Sequence, residues 1–262
     1  MVRKLLFPLA CIGLIIISFL PPYTQVHYDP RNTQDVIFSV LMSSVQPYAH
    51  WGWVFHVATL LLLFYVVWKP QQAGRVMAGY MGINYLVIAA VQPYATTEKY
   101  GFALLMGAMV GTAIIGITWL VVAIKDSLKL SLQDIPGWTY SLLPLALLVF
   151  WSPLKIQGQA VIPNFDPRLM LTSVDYGLTY CFVTPVFLYL LLLFSRNYTS
   201  LAFLISAFNA LLYGLLNLTH WFNPNTRWMG VMHLPLLIVS LVALCVPLIK
   251  HSPHPKVVLS PG

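Results

Sequence analysis

Trp51-Gly52-Trp53-Val54-Phe55-His56-Val57-Ala58-Thr59-Leu60-Leu61-Leu62-Leu63-Phe64-Tyr65-Val66-Val67-Trp68 runs without a formally charged side chain and stops at Lys69. As a helix it covers about 27 Å, close to the ~30 Å hydrocarbon core of a bilayer. A soluble protein would have no polar face to turn toward water from such a segment.

Comparable runs recur along the whole chain, and windows of about 17 to 25 apolar residues predict helices over 4–20, 51–68, 76–93, 102–124, 138–154, 172–195, 200–219 and 229–249. The expectation is an all-α, polytopic integral membrane protein with about eight transmembrane helices. Only 8% of residues are charged, against about 25% in soluble domains, which excludes a separate soluble domain. The fifth span carries Pro144 and Pro153 and is expected to be kinked or partly re-entrant. Residues 33–44, too short to cross and too apolar for a free loop, are expected to form an interfacial helix. The first span reads as a signal anchor, because Phe19-Leu20-Pro21-Pro22-Tyr23 stands where a cleavage site wants small residues. Cys11, Cys181 and Cys245 all fall within spans, so no disulfide framework is expected.

Basic residues in short loops set the orientation. Arg3, Lys4, Lys69, Arg75, Lys125, Lys129, Arg196, Lys250 and Lys256 fall on one side; Arg31, Lys99, Lys155, Arg168 and Arg227 share the other with Asp29, Asp35, Glu98, Asp166 and Asp175. Both termini are therefore expected in the cytoplasm of a plasma or inner membrane. The net charge of +7 is explained by attraction to anionic lipid, with no nucleic-acid partner required.

Tyr28-Asp29-Pro30-Arg31 follows the first span and Phe165-Asp166-Pro167-Arg168 the fifth. At an offset of 125 residues, Gly52 falls on Gly177, Thr59 on Thr184 and Asn84 on Asn209, while the tetrads need 137 because the first outer loop carries extra residues. The chain is thus expected to divide into 1–130 and 131–262, two parallel four-helix repeats about an axis along the membrane normal, with any central site between them. Val45-Gln46-Pro47-Tyr48-Ala49 recurs as Val91-Gln92-Pro93-Tyr94-Ala95, marking the outer ends of two spans.

Five of the seven histidines, His27, His50, His56, His220 and His233, lie on the outer side or in the outer third of a span; His251 and His254 do not. His56 and His233 sit inside spans at similar depth, and Cys181 is the repeat counterpart of His56. Two imidazoles can ligate haem b, and two histidines with a cysteine can hold a transition metal. The alternative is that each histidine hydrogen-bonds a neighbouring helix and Cys181 fills apolar space. Asp175, the one acidic residue within a span, is a candidate for proton handling together with His50 and His220, or else a helix cap or a partner of Arg168. Asn84 and Asn209 lie near mid-membrane, where they either bond between helices or line a translocation path. Ala103, Gly107 and Gly111 follow a small-xxx-small packing pattern.

No phosphate-binding glycine loop, Gly-x-Ser-x-Gly elbow or dinucleotide fingerprint is present, so no nucleotide partner is expected. Three functional readings follow. The first is a haem- or metal-binding redox protein or membrane enzyme subunit with its polar site at the extracytoplasmic face, acting on a quinone or an acyl lipid. The second is a permease for a small neutral or apolar solute. The third is an assembly subunit contacting partner membrane proteins.

Overall fold

The computed structural model describes residues 2–133, 135–158, 160–195 and 197–250; Arg196, His251, His254 and Lys256 lie outside these. The chain is mostly helical: α1 Val2–Ser18, α2 Thr33–Ser44, α3 Gly52–Trp68, α4 Pro70–Val91, α5 Met106–Ile124, α6 Leu143–Trp151, α7 Leu169–Thr172, α8 Asp175–Leu178, α9 Tyr180–Phe194, α10 Leu201–Leu216 and α11 Arg227–Lys250. Among the described residues, Pro30–Trp68, Pro70–Val91, Met106–Ile124, Leu201–Phe222 and Pro224–Leu248 are long and apolar enough to cross a membrane. A sixth span results if Leu169–Leu178 and Tyr180–Phe194, bent by 100° at their junction, are one. Leu5–Ser18 and Gly137–Trp151 are shorter apolar helices.

Local chemistry explains the boundaries. Pro70 pushes Lys69 out of the helical region, to φ −137°, and suits the first turn of α4, so α3 and α4 meet across a single residue. The expected span 102–124 starts later, because Gly101–Leu104 (β3) pairs antiparallel with Tyr94–Thr97 (β2), and β3 pairs on its other edge with Tyr23–Thr24 (β1). Gly101, at φ +61°, makes the turn that permits this hairpin. Leu154–Gln157 (β4) and Ala160–Pro163 (β5) form a second hairpin, so two small sheets accompany a chain whose mostly helical make-up agrees with the all-α expectation. The expected helix 172–195 is broken: Tyr176 is extended (ψ 122°) and Gly177 has φ +105°.

α9 is the central helix, with every residue from Tyr180 to Phe194 buried. In the N-terminal half α1 packs on α5, α3 on α4 and α4 on α5; in the C-terminal half α6 packs on α11, α9 on α10 and α10 on α11. The halves meet where α10 contacts α1 and α5, and where α3 contacts α7 and α8. α4 and α5 approach closely at two glycines: a Cβ at Gly82 would stand 2.8 Å from Leu120 Cδ2 and 2.9 Å from its backbone N, and one at Gly116 would stand 3.0 Å from the Gly82 carbonyl oxygen. Gly107 instead admits the backbone end of α1, with Ile17 O only 2.2 Å from its Cβ position.

α2 closes over the strand-bearing end. Val36 and Val40 are buried with Ala95, Tyr100 and Leu105, and Asp35 accepts hydrogen bonds from Lys99 Nζ (2.6 Å) and the Tyr100 hydroxyl. Both tetrads adopt one turn: Asp29 Oδ1 accepts from the Arg31 N–H and Asp166 Oδ1 from the Arg168 N–H, each at 2.9 Å. The Arg168 backbone N–H, then its guanidinium, holds the Asp166 carboxyl below the usual carboxylate range. A depressed value stabilises the ionised turn above the ordinary carboxylate pKa of about 3.9, and the benefit is lost as pH falls through the lower folded value. Hydrogen-exchange protection of the Arg168 amide is expected to hold at pH 5, fall in strong acid, and lose this dependence in Asp166→Asn.

Candidate functional site

The break between Leu169–Leu178 and Tyr180–Phe194 builds the site. Backbone groups freed inside a membrane must find partners within the protein. Here they find them across the half–half boundary. His56 Nε2–H donates to Ser173 O (3.1 Å), Asn84 Nδ2–H donates to Gly177 O (2.9 Å), and the Tyr180 N–H donates to Gln92 Oε1 (2.9 Å). Thr59 Oγ1 is hydrogen-bonded to Tyr176 OH at 2.8 Å and to Tyr80 OH at 3.0 Å. Gly52 and Gly177, 125 residues apart in sequence, lie at this same contact. A Cβ at Gly52 would meet Thr172 O at 2.3 Å, and one at Gly177 would meet Phe55 Cγ at 2.2 Å.

Beside the break, the ends of α1, α4, α5, α10 and α11 converge around the first turn of α9 and enclose a cavity of about 350 Å³. Both halves contribute walls. Ile37, Phe38, Leu41 and Met42 of α2 supply apolar surface; Asp175, Cys181, Asn217, His220 and His233 supply polar groups. Asp175 Oδ2 accepts from the Ser152 and Ser173 hydroxyls, each at 3.4 Å, and no ion pair to it occurs among the described residues. The His220 and His233 rings stack at 5.5 Å with an interplanar angle of 25°. His233 Nδ1 donates to Met229 O at 2.7 Å, and Phe182 lies edge-on to the same ring. Asn217 Nδ2 donates to Tyr213 O (2.8 Å) and approaches Cys181 Sγ (3.7 Å).

The residues selected from the sequence thus separate into two sets. Asp175, His220, His233 and Cys181 share the cavity. His50 is exposed, its ring on Trp51, and does not line it. His56 is wedged between the Phe150 and Tyr176 rings on the Ser173 carbonyl, and so does not join His233 and Cys181 as a third ligand. No group of three or more His, Cys, Asp or Glu side chains that could hold a metal ion occurs among the described residues. Asn84 braces the break, and Asn209 is fully buried beside the Tyr180 hydroxyl, in a helix facing Gly111. Asp175 does not pair with Arg168, whose guanidinium turns back to Asp166 at 3.2 Å.

Gln92 and Asn217 were not selected as site residues, yet both line the cavity and hold the first turn of α9. The available signal is their spacing, 125 residues, the same offset that relates Gly52 to Gly177 and Asn84 to Asn209. Met106-Gly107-Ala108-Met109 and Met229-Gly230-Val231-Met232 extend the relation to α5 and α11 at an offset of 123. In comparisons with known proteins, the chain matches no family model, no curated protein and no solved structure.

Proposed function

We propose that this chain is an integral membrane enzyme subunit that takes a lipid-soluble substrate into the cavity between its halves. The observation that carries this reading is the meeting of Asp175, His220 and His233 in one largely apolar cavity. A carboxyl and two imidazoles near a reacting group are the usual means of moving protons, and pockets of this size and lining hold small amphipathic molecules. In this reading Asp175 and His220 handle protons and His233 binds the substrate head. The haem and metal alternatives lose support with His56 engaged at Ser173.

The same proposal takes the shorter helices Leu5–Ser18 and Gly137–Trp151 and the bent pair as full spans, giving eight with both termini cytoplasmic and the cavity at the extracytoplasmic end. Three helix pairings recur in each half, which supports two parallel repeats, while α9 also packs on α6 and α11, contacts that α3 does not match with α1 and α5 among the described residues. A permease reading draws on the broken span, because transporters use discontinuous helices; here the freed carbonyls of Ser173 and Gly177 are already occupied, which favours a fixed break.

Native mass spectrometry of the chain released from its own membranes tests the cavity. Wild type is expected to retain a stoichiometric lipid-soluble molecule. Ala108→Trp, which enlarges a lining side chain on α5, is expected to lose it while remaining folded; equal occupancy of both proteins would count against the proposal.

A further inference from the structure

We propose that the molecule held in this cavity is an uncharged lipid bearing a hydroxyl group, which donates to Nε2 of His233 while its tail extends into the leaflet beside Phe19 and Leu20. The proposal rests on the cavity being a ligand site and adds the chemistry of the ligand.

Charge is the first observation. No Lys or Arg is among the described residues around the cavity, and its single carboxyl, Asp175, has no ion-pair partner among them. An anionic head would be stripped of water next to a carboxyl with no cation to offset the loss. A cationic ammonium head could approach Asp175, but it only donates, so it would leave the free N–H2 of Gln92 without an acceptor, and its charge would add to the cost of leaving water.

Hydrogen-bonding capacity is the second. The Met229 carbonyl can only accept, so the proton lies on Nδ1 of His233, and a neutral ring then offers an acceptor alone at Nε2. Asn217 uses its N–H2 on Tyr213 O, leaving Oδ1 as an acceptor, whereas Gln92 uses Oε1 on the Tyr180 N–H, leaving its N–H2 as a donor. A hydroxyl can both donate and accept, which suits this mixed set better than a carbonyl or an ether.

Access is the third. Phe19 and Leu20 line the cavity and are also 67% and 41% exposed, so the wall between the end of α1 and the apolar face of α2 borders the surroundings of the helices. A lipid tail can rest there without meeting a charged residue.

Four probes with one tail test this on the purified full-length chain in nanodiscs: oleyl alcohol, oleyl methyl ether, oleate and oleylamine, each titrated and counted by native mass spectrometry. The alcohol is expected to bind saturably, one per chain. The ether should bind about 10-fold more weakly for want of one neutral hydrogen bond, oleate at least about 100-fold more weakly, and oleylamine more weakly than the alcohol. His233→Phe should bring the alcohol down to the ether's affinity and leave the ether unchanged, a result that a misfolded variant would not give. Equal binding of alcohol and ether, or tighter binding of either ion, would overturn the inference and leave the cavity reading standing. Absence of saturable binding by all four would overturn both.

Discussion

Gly177→Ala is expected to cost about 3–5 kcal/mol and to leave little folded protein after detergent extraction. Two independent penalties meet at this residue. Its φ of +105° is a conformation that any side chain strains, by about 1–3 kcal/mol. The added methyl would also stand 2.2 Å from Phe55 Cγ and 2.3 Å from Phe55 Cβ, atoms close to the α3 backbone that cannot swing away. Phe55→Ala in the same chain removes the overlap with Cγ but keeps the one with Cβ and the backbone strain, so the double variant is expected to recover only part of the loss. Gly52→Ala tests the reciprocal side, where the obstacle is the Thr172 carbonyl. Fluorescence-detected size exclusion after a heating series reads all of these. Wild-type thermal stability in Gly177→Ala would mean that the span is not broken at this residue.

The second large effect is expected at the side chains that occupy the freed carbonyls. Asn84→Leu leaves Gly177 O, and His56→Leu leaves Ser173 O, without a donor in an apolar interior, at about 1–3 kcal/mol each. His56→Leu also removes a ring packed between Phe150 and Tyr176. Both donors serve one short segment, so the double variant should depart from additivity, the first loss having already loosened the break. The same variants separate fixed from mobile breaks. A fixed break predicts reduced thermal stability with unchanged ligand affinity per folded molecule; a moving transporter hinge predicts altered solute flux at nearly unchanged stability.

Much of the framework is legible in the sequence because bilayer length and hydropathy are strong constraints. The run 51–68 is observed as α3, Gly52–Trp68, and the segment 33–44 as α2, Thr33–Ser44. The break at Gly177 is not legible, since one glycine in Val174-Asp175-Tyr176-Gly177-Leu178 is equally compatible with an intact helix. β3 is hidden for a related reason: Phe102-Ala103-Leu104 continues directly into the apolar run of α5, and a short apolar stretch has no period to distinguish strand from helix.

The site is legible in outline only. Depth in the membrane groups His56 with His233, but depth carries no information about azimuth, and His56 turns to a carbonyl 117 residues away. The repeat offsets point to the boundary between the halves, yet they do not reveal that one half supplies the braces and the other the break. Gln92 escapes notice because its pentapeptide reads as a helix end, although its amide is what holds the first backbone N–H of α9.

The most direct test of the central claim is an experimental density map of the chain in a lipid nanodisc prepared from its own membranes. The account predicts an elongated density running from the level of Phe19 and Leu20, beneath α2, to the rings of His220 and His233, with the chain broken at Gly177. A collapsed cavity, or one that opens through the protein to the Lys69 end, would contradict it.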